Sequence, residues 1–165
     1  MEIWVTVEIP KFSRQKYEFD EKMRVIKLDR TLFSPVYFPF EYGSLRNTKS
    51  GDGDPLDVVL LSRFPTFPGC YVKARPIGVL LMEDEAGGDN KIIAVPTEDI
   101  DPSFKEIKDV KDLKSHEKKE IKEFFEIYKR LERGKWVNVK EFLSREKAEK
   151  MVKVAEAMFG KEKNR

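Results

Sequence analysis

The first two thirds of the chain alternate hydrophobic and polar positions over short stretches that are separated by glycine and proline. A period of two is typical of β-strands with one buried face. The stretch 71–82 is rich in β-branched residues, and Pro76 and Gly78 within it indicate a bend or bulge. The predicted strands are residues 3–9, 16–19, 24–28, 58–61, 71–82 and 91–95. Several short strands of this kind predict a small antiparallel barrel.

The last third of the chain has a helical period instead. Ser115 is the expected N-cap of a first helix that ends at Gly134, and a second helix is predicted over residues 144–159, before Gly160. The apolar stripes are Ile121, Phe124, Phe125, Tyr128 and Leu131 in the first helix, and Ala148, Met151, Val152, Ala155 and Met158 in the second. We therefore expect one α+β domain over residues 1–165, with two C-terminal helices packed against a barrel.

Charge is abundant in the chain but nearly balanced. Charged residues make up 38% of the sequence, and the net charge is +2. A dedicated nucleic-acid-binding protein normally carries a basic excess, so we expect no nucleic-acid partner. Interleaved lysine and glutamate is typical of heat-stable proteins, which favours a thermophilic source.

The counts of cysteine, histidine and long apolar runs exclude several further classes. Cys70 is the only cysteine, which excludes an intramolecular disulfide and favours the cytoplasm. His116 is the only histidine, so a multi-histidine metal site is excluded, and we expect this residue to be solvated. The longest apolar run, 77–82, is far shorter than the ~20 residues of a membrane span, so no membrane partner is expected.

The acidic segment Asp52-Gly53-Asp54-Pro55-Leu56-Asp57 is the first candidate for chemistry. Three carboxylates within six residues repel one another, and a bound cation such as Mg²⁺, which prefers carboxylate oxygens, would offset that cost. The alternative is an ordinary solvated turn, because Asp-Gly and Asp-Pro pairs are common in turns. An EF-hand is excluded, because Asp57 and Arg63 stand where that loop needs Gly and Glu. Alone, the segment supports the metal site and the turn about equally.

A second acidic loop, residues 83–91, lies between two predicted strands. Asp84 and Asp89 bracket the pair Gly87-Gly88, which lets the backbone approach a ligand closely, and Lys91 begins the next strand. Taken alone, the loop is better explained as a polar hairpin. The chain has neither a phosphate-binding loop of the G-x-x-x-x-G-K-[ST] kind nor a G-x-G-x-x-G motif, which excludes nucleotide binding through those motifs.

Further polar side chains interrupt otherwise apolar elements. Each has an ordinary explanation singly, since a charged residue in a barrel strand usually faces solvent and a helical tyrosine is usually in the core. These residues are Glu8, Lys16, Glu18, Arg30, Tyr42, Tyr128 and Lys129. Only their combination with the two acidic loops discriminates between functions.

In combination and in order, these segments closely resemble the soluble family I inorganic pyrophosphatases, from Glu8 to about Trp136. The acidic hexapeptide is specific to that family, and it occurs in the same order with the other segments, which argues strongly against a chance resemblance. The matching segments are Val7-Glu8-Ile9-Pro10, Lys16-Tyr17-Glu18, Asp29-Arg30, Pro39 with Tyr42-Gly43, Asp52-Gly53-Asp54-Pro55-Leu56-Asp57-Val58, Arg75-Pro76-Ile77-Gly78, Asp84-Glu85-Ala86-Gly87 with Asp89 and Lys91, Tyr128-Lys129, and Gly134-Lys135-Trp136.

The resemblance implies a fold, a reaction and an assembly. The implied fold is a small OB-like five-stranded antiparallel β-barrel with helices packed against it. The implied reaction is Mg²⁺-dependent hydrolysis of pyrophosphate to two phosphates, with several Mg²⁺ ions in each active site. The implied partner is a second copy of the chain, since prokaryotic members are typically homohexamers.

The resemblance also implies residue roles. Asp54 would accept the proton of the attacking water as general base. The metals that activate this water would be held by Asp52, Asp57 and Asp89, with Asp57 bridging two of them, and the metals carried by the substrate would be served by Asp84, Glu8 and Glu18. The two phosphoryl groups would be gripped by Arg30, Lys16, Lys91, Lys129, Tyr42 and Tyr128.

The charge of this set predicts metal dependence independently of the resemblance. Its seven carboxylates outnumber its four lysine and arginine groups by three, so the site without metal carries a charge of about −3 and repels pyrophosphate. About two to four divalent cations would reverse that sign, as in multi-metal phosphoryl-transfer sites.

One position departs from the family pattern. Phe38 stands before Pro39, where the family commonly has tyrosine, and Tyr37 lies one residue earlier. A shift of one residue along a strand changes the face on which a side chain lies, so we assign no hydroxyl role to Tyr37.

Two other classes of protein remain as alternatives. An OB-type binder of single-stranded nucleic acid is permitted by the barrel pattern and the aromatic residues Phe38, Phe40 and Tyr42, but the acidic loops oppose the positive groove that such binding needs. A Ca²⁺-binding structural module would explain the carboxylates, but not the lysine, arginine and tyrosine groups that accompany them.

Overall fold

Nine β-strands and two α-helices make up most of the computed structural model, which describes residues 1–163. The strands are β1 (Ile3–Ile9), β2 (Gln15–Asp20), β3 (Val25–Thr31), β4 (Glu41–Leu45), β5 (Leu56–Leu60), β6 (Tyr71–Asp84), β7 (Gly87–Gly88), β8 (Lys91–Pro96) and β9 (Val137–Ser144). The helices are α1 (Ser115–Ile127) and α2 (Arg145–Lys163), and short 3₁₀ helices lie at Pro102–Phe104 and Val110–Asp112. Strands thus dominate the first two thirds and helices the last third, as the hydrophobic pattern predicted.

Five of these strands close into a ring in the order β1, β4, β5, β8 and β6, with β6 pairing back to β1. Neighbours in the ring are antiparallel except β5 and β8, which are parallel. A parallel pair needs a long crossover, and here the connection from β5 to β8 runs through β6 and β7. The ring confirms the predicted α+β fold with a five-stranded barrel, although the prediction of a wholly antiparallel barrel missed this one pair.

Aliphatic side chains from all five ring strands fill the interior of the barrel. They are Ile3, Val5, Val7, Leu45, Leu56, Val58, Leu60, Val72, Ala74, Val79, Ile92 and Ala94, and Ala148, Val152 and Ala155 of α2 join the same cluster. Successive residues of a strand point to opposite faces. Because Val58 and Ile92 point inward, Asp57 and Lys91 next to them lie on the outer face, where they are register partners.

The outer face of the barrel is covered by α1 through an aromatic cluster. Phe124 and Phe125 of α1 pack against Phe38 and Phe40, with the rings of Phe38 and Phe124 4.7 Å apart. β2 and β3 form a separate two-stranded hairpin that does not pair with any strand of the ring. The residues that the sequence analysis proposed for the site therefore lie among three parts of the fold, namely the outer face of β5 and β8, the C-terminal end of α1 and this hairpin.

Most of the predicted strands are confirmed, including the irregularity in β6 between Pro76 and Gly78. Three strands were not predicted. β7 is only the two residues Gly87 and Gly88, too short for an alternating pattern. β4 lacked a clear alternation, because Gly43 and Ser44 lie at its centre. β9 is largely exposed and was not recognised, although Val137 and Val139 alternate with polar residues along it.

Both helix ends were predicted imperfectly. Ser115 is the first residue of α1 rather than its N-cap, and the Lys114 amide donates to the Glu117 carboxylate at 2.8 Å. α1 ends at Ile127, well before Gly134, which leaves Leu131 exposed. Gly160 lies inside α2, because a glycine costs only about 1 kcal/mol in a helix, too little to end one. None of the helices within residues 1–163 combines the length and apolarity needed to cross a bilayer.

Candidate active site

A buried lysine lies at the centre of the candidate site. The Lys91 ammonium is 2.7 Å from Asp57 Oδ2 and also contacts Asp89 Oδ1, while the residue as a whole is 2% exposed. Burial opposes the charged form, but the two carboxylates outweigh it and hold the pKa of Lys91 above its ordinary value. β5 and β8 bring Asp57 and Lys91 side by side, so the first acidic segment and the second loop meet here.

A second lysine links α1 to the β6–β7 turn. Lys129 follows the C-terminal end of α1, and its Nζ is 2.8 Å from Asp84 Oδ2 and 3.4 Å from Glu85 Oε2. Burial again opposes the charge, while the hydrogen bond that Lys129 donates to Asp84 raises the pKa of Lys129. Lys135 pairs with the other oxygen of Glu85 at 2.8 Å. Glu85 thus ties both lysines to this turn.

The acidic hexapeptide begins in an exposed turn and ends in β5, where Leu56 is buried and Asp57 is half-buried. Asp52 Oδ1 accepts a hydrogen bond from the Asp54 amide at 2.9 Å and one from the Ser50 hydroxyl, so part of its carboxylate stabilises the loop. Asp54 is exposed. Even so, partial withdrawal of its carboxyl group from water, together with the negative charges of Asp52 and Asp57, raises the pKa of Asp54. The metal-site and turn hypotheses are therefore both compatible with this loop, and Asp54 has the raised basicity that a proton acceptor needs.

The β2–β3 hairpin contributes a mixed group of charges. Lys16 Nζ is 2.6 Å from Glu18 Oε1 and 3.5 Å from Asp29 Oδ2. The Arg30 guanidinium contacts Asp29 through Nη1 and Glu132 through Nη2, the second at 3.1 Å. Arg30 thereby connects the hairpin to the turn after α1.

Glu8 lies where the hairpin meets the barrel. Its Oε1 accepts from the Phe19 amide at 3.3 Å. Burial is the main reason that the pKa of Glu8 rises to about 7, and the charges of Asp57 and Glu18 add to the effect. This carboxyl group therefore lies within the electrostatic reach of the acidic hexapeptide.

The two candidate tyrosines line the apolar side of the site. Burial and the negative charges of Asp57 and Asp89 raise the pKa of Tyr42 well above its ordinary value. Burial raises the pKa of Tyr128, although Lys91 and Lys129 oppose it. Both rings belong to the aromatic cluster beneath the site, with Tyr128 stacked on Phe124 at 5.3 Å.

Phe38 occupies the core rather than the site. It is 1% exposed, and its ring centre lies 5.6 Å from that of Tyr42. Tyr37 is more than half exposed and packs edge-on against Phe12. Since the two side chains point to different surroundings, Tyr37 does not replace a tyrosine at position 38.

The predicted site residues form one electrostatically connected set. Asp57 influences Asp54, Glu8 and Asp89, and Asp84 in turn influences Asp89. Burial raises the pKa of Asp89, and these neighbouring carboxylates raise it further against the opposing effect of Lys91. Like charges have therefore been brought close together at an energetic cost that a bound cation would relieve.

A cavity of about 810 Å³ adjoins this set on the side of α2. Its walls are the loop around the acidic hexapeptide, the β7 turn and α2, and four of the predicted carboxylates line it, namely Asp52, Asp54, Asp57 and Asp89. The predicted phosphate-gripping residues do not line this cavity. They lie instead toward α1 and the hairpin, so the four carboxylates lie between the cavity and the predicted phosphate-gripping residues.

The chemistry of the side chains fits hard divalent cations, because every predicted ligand atom is a carboxylate oxygen. Within residues 1–163, however, no group of three or more His, Cys, Asp or Glu side chains is arranged to hold a metal ion. Lys91 and Lys129 instead neutralise Asp57, Asp89 and Asp84. Metal binding would therefore require these carboxylates to turn partly away from the lysines.

Three residues of the site were not predicted as functional: Asp29, Glu85 and Glu132. Each pairs with a lysine or arginine that was predicted. Asp29 and Glu85 could have been suspected, because they adjoin Arg30 and Asp84 in the chain. Glu132 offered no local signal, since it meets Arg30 across 102 residues.

Comparison with known proteins identifies the family. Residues 5–159 match the inorganic pyrophosphatase family profile. An inorganic pyrophosphatase of Nanoarchaeum equitans is 48% identical over 162 residues, which cover 98% of this chain and 100% of that protein. The fold agrees as well: a crystal structure of the Thermus thermophilus inorganic pyrophosphatase superposes with a TM-score of 0.93 at 42% identity, covering 96% of this chain and 91% of the other. A Helicobacter pylori inorganic pyrophosphatase gives 0.94 at 43% identity, covering 96% and 94%.

Nothing in these comparisons supports the nucleic-acid-binding alternative. The barrel with its two helices is shared with the solved pyrophosphatases, and the matched region includes every residue of the candidate site. The chain therefore belongs to the family I inorganic pyrophosphatases, metal-dependent enzymes that hydrolyse inorganic pyrophosphate.

Proposed function

We propose that the chain hydrolyses pyrophosphate with Mg²⁺ at the connected set of carboxylates and cations described above, with Asp54 as general base. The observation that carries this proposal is the Asp57–Lys91–Asp89 centre, in which a buried cation lies between two carboxylates at the junction of both acidic loops. Such alternating charge suits a ligand that is both a polyanion and a metal chelator.

The carboxylates divide between two tasks in this proposal. Asp52, Asp57 and Asp89 would hold the ions near the water, and Asp84, Glu8 and Glu18 would hold those that arrive with the substrate. Bound Mg²⁺ supplies charge neutralisation and lowers the pKa of water. Asp54 then takes the proton of the attacking water, a role that its raised pKa supports.

The cationic and phenolic side chains grip the two phosphoryl groups. Lys16 and Arg30 would do so from the hairpin, and Lys91, Lys129, Tyr42 and Tyr128 from the barrel and α1. Arg30 can bind two phosphate oxygens at once through its planar fork. Because Tyr42 and Tyr128 keep their protons far above neutral pH, they act as hydrogen-bond donors.

The proposed base is tested by replacing Asp54 with Asn. The variant keeps the size of the side chain but cannot accept a proton, so kcat should fall by about 100-fold or more while the thermal unfolding temperature stays unchanged. Asp99→Asn, at an exposed position outside the site, serves as the matched control with unchanged kcat. Turnover of Asp54→Asn within about twofold of the parent would remove Asp54 as the base.

We also propose a cytoplasmic homo-oligomer, a hexamer on the resemblance to prokaryotic members of the family. Exposed aromatic side chains support an assembly, among them the stacked pair Trp4 and Tyr71 and the loop residues Phe64 and Phe67, each at least half exposed. Light scattering should give about six times the 19.3 kDa of one chain, and a monomeric mass would contradict the assembly. Recovery of the protein outside the cytoplasm on cell fractionation would contradict the location.

A further inference from the structure

Glu132 is a nearly buried carboxylate that contacts a predicted substrate-binding residue far away in the chain. Its side chain is 9% exposed, and its Oε2 lies 3.1 Å from Nη2 of Arg30. A carboxylate withdrawn from water is costly unless it is paired with a cation that it bonds well. The pairing with Arg30 is therefore a built feature of the fold rather than a chance surface contact.

The position of Glu132 in the chain links it to Lys129, a second predicted substrate-binding residue. Glu132 lies in the turn after α1, three residues beyond Lys129, and its amide donates to the Lys129 carbonyl at 3.0 Å. A second bond lies close by in the chain, since the hydroxyl of Ser34, in the loop after β3, donates to the carbonyl of Ile127, the last residue of α1, at 2.9 Å. The segment that carries Lys129 is thus fastened to the hairpin that carries Arg30.

Glu132 and Asp29 hold the Arg30 guanidinium from two sides. Nη1 contacts Asp29 and Nη2 contacts Glu132, whereas Nε is buried and has no hydrogen-bond partner in the described part of the chain. Asp29 is 29% exposed and shared with Lys16, while Glu132 is only 9% exposed. Of the two carboxylates, Glu132 is the more buried, so its bond to Nη2 is the better shielded from water.

We propose that Glu132 is a positioning residue, which holds the Arg30 guanidinium toward the phosphoryl site at a fixed separation from Lys129. The inference rests on the proposed function, in which Arg30 grips the substrate from the hairpin and Lys129 grips it from the end of α1. Asp29 is then the partner that phosphate oxygens displace, while Glu132 keeps its bond throughout. The hairpin lies outside the barrel sheet, and this contact is one of those that hold it to the rest of the fold, with the bond from the Phe19 amide to Glu8 as another.

Replacing Glu132 with Gln removes the charge but preserves the shape of the side chain. The Arg30 guanidinium then loses the charged partner that holds it. We expect kcat/KM for pyrophosphate to fall on the order of 10- to 100-fold, because misplacement of a binding group by about 1 Å has effects of that size. Most of this loss should appear in KM. Glu132→Asp keeps the charge at a shorter reach and should recover part of the loss. Glu126→Gln, an exposed position on α1, is the matched control and should leave both constants unchanged.

A double-mutant cycle with Arg30→Ala separates positioning from a purely structural role. When Arg30 is absent, Glu132 has no guanidinium to hold, so Glu132→Gln in that background should change kcat/KM by less than about twofold. The same loss in both backgrounds, or no loss in the parent, would overturn the positioning role. Arg30→Ala with kinetics like those of the parent would instead show that the proposed grip itself is wrong. Thermal unfolding of all four proteins identifies any loss that results from misfolding.

Discussion

Several charged side chains in this protein lie where water can hardly screen them. Lys91 is 2% exposed between two carboxylates, and Glu41 is fully buried in β4. The Glu41 carboxylate accepts hydrogen bonds from the Thr66 amide at 2.6 Å and the Thr66 hydroxyl at 3.0 Å. Lys91 lies at the centre of the candidate site, whereas Glu41 fastens the loop after β5, so buried charged groups occur both at the candidate site and at a structural contact.

Glu41 should make the stability of the fold depend on pH. Burial raises its pKa above the ordinary value near 4.5, so folding favours the protonated form. Its contribution is present in full below that ordinary value and is lost as the pH rises through the raised pKa. Glu41→Gln removes this dependence, because a Gln oxygen can still accept from the Thr66 amide.

The free energy of unfolding of both proteins, measured by urea denaturation from about pH 4 upward, checks this prediction. The difference between Glu41→Gln and the parent should move in favour of the variant as the pH rises. A difference that stays constant over this range would show that Glu41 has the same pKa in the folded and unfolded chain.

The sequence pointed to the candidate carboxylates and cations of the site but not to every side chain that pairs with them. Asp52, Asp54 and Asp57 stand out because their spacing is costly without a ligand. Asp29 adjoins Arg30 in the chain and could have been suspected. Glu132 is an ordinary acidic residue in the sequence, and its pairing with Arg30 arises only when folding brings the two together across 102 residues. Long-range ion pairs of this kind have no local pattern, so only the structure reveals them.

At the scale of elements, the barrel depends on a close approach between β1 and β4. Gly43 pairs with Val7 across these strands, and a Cβ at position 43 would lie 1.9 Å from the Thr6 carbonyl oxygen. No side chain fits in that space unless the strands separate. The glycine that obscured β4 in the sequence is thus the residue that lets the strand join the ring.

Gly43→Ala should therefore destabilise the fold by about 3 kcal/mol or more, since the obstacle is backbone rather than a movable side chain. Gly51→Ala is the matched control, because nothing lies within 4 Å of a Cβ there, and its effect should be within about 0.5 kcal/mol. Denaturant unfolding monitored by circular dichroism measures both. Equal stability of the two variants would show that β1 and β4 can part at little cost.

The hydrophobic pattern predicted which helices exist, but not where they end or how the strands pair. Amphipathic stripes predicted both helices, because burial of one face dominates their stability. Helix ends depend on capping geometry and on the packing of the adjoining turn, so α1 ended before Gly134 and α2 continued past Gly160. The parallel pairing of β5 and β8 is a property of the connection and leaves no trace in the alternation of either strand.

At the scale of the whole molecule, a nearly neutral chain concentrates negative charge at one place. The net charge is +2, yet the seven predicted carboxylates exceed the four predicted cations of the site by three. A polyanionic substrate is repelled by such a site unless cations enter with it or before it. Mg²⁺ should therefore be obligatory for turnover at this set of residues.

Phosphate release from pyrophosphate by the purified protein, with Mg²⁺ as the only variable, tests this requirement most directly. We expect rapid release with excess Mg²⁺, no release after chelation with EDTA, and full recovery when Mg²⁺ is restored. Release at the same rate without any divalent cation, or no release with any divalent cation, would contradict the metal-dependent hydrolysis proposed for this site.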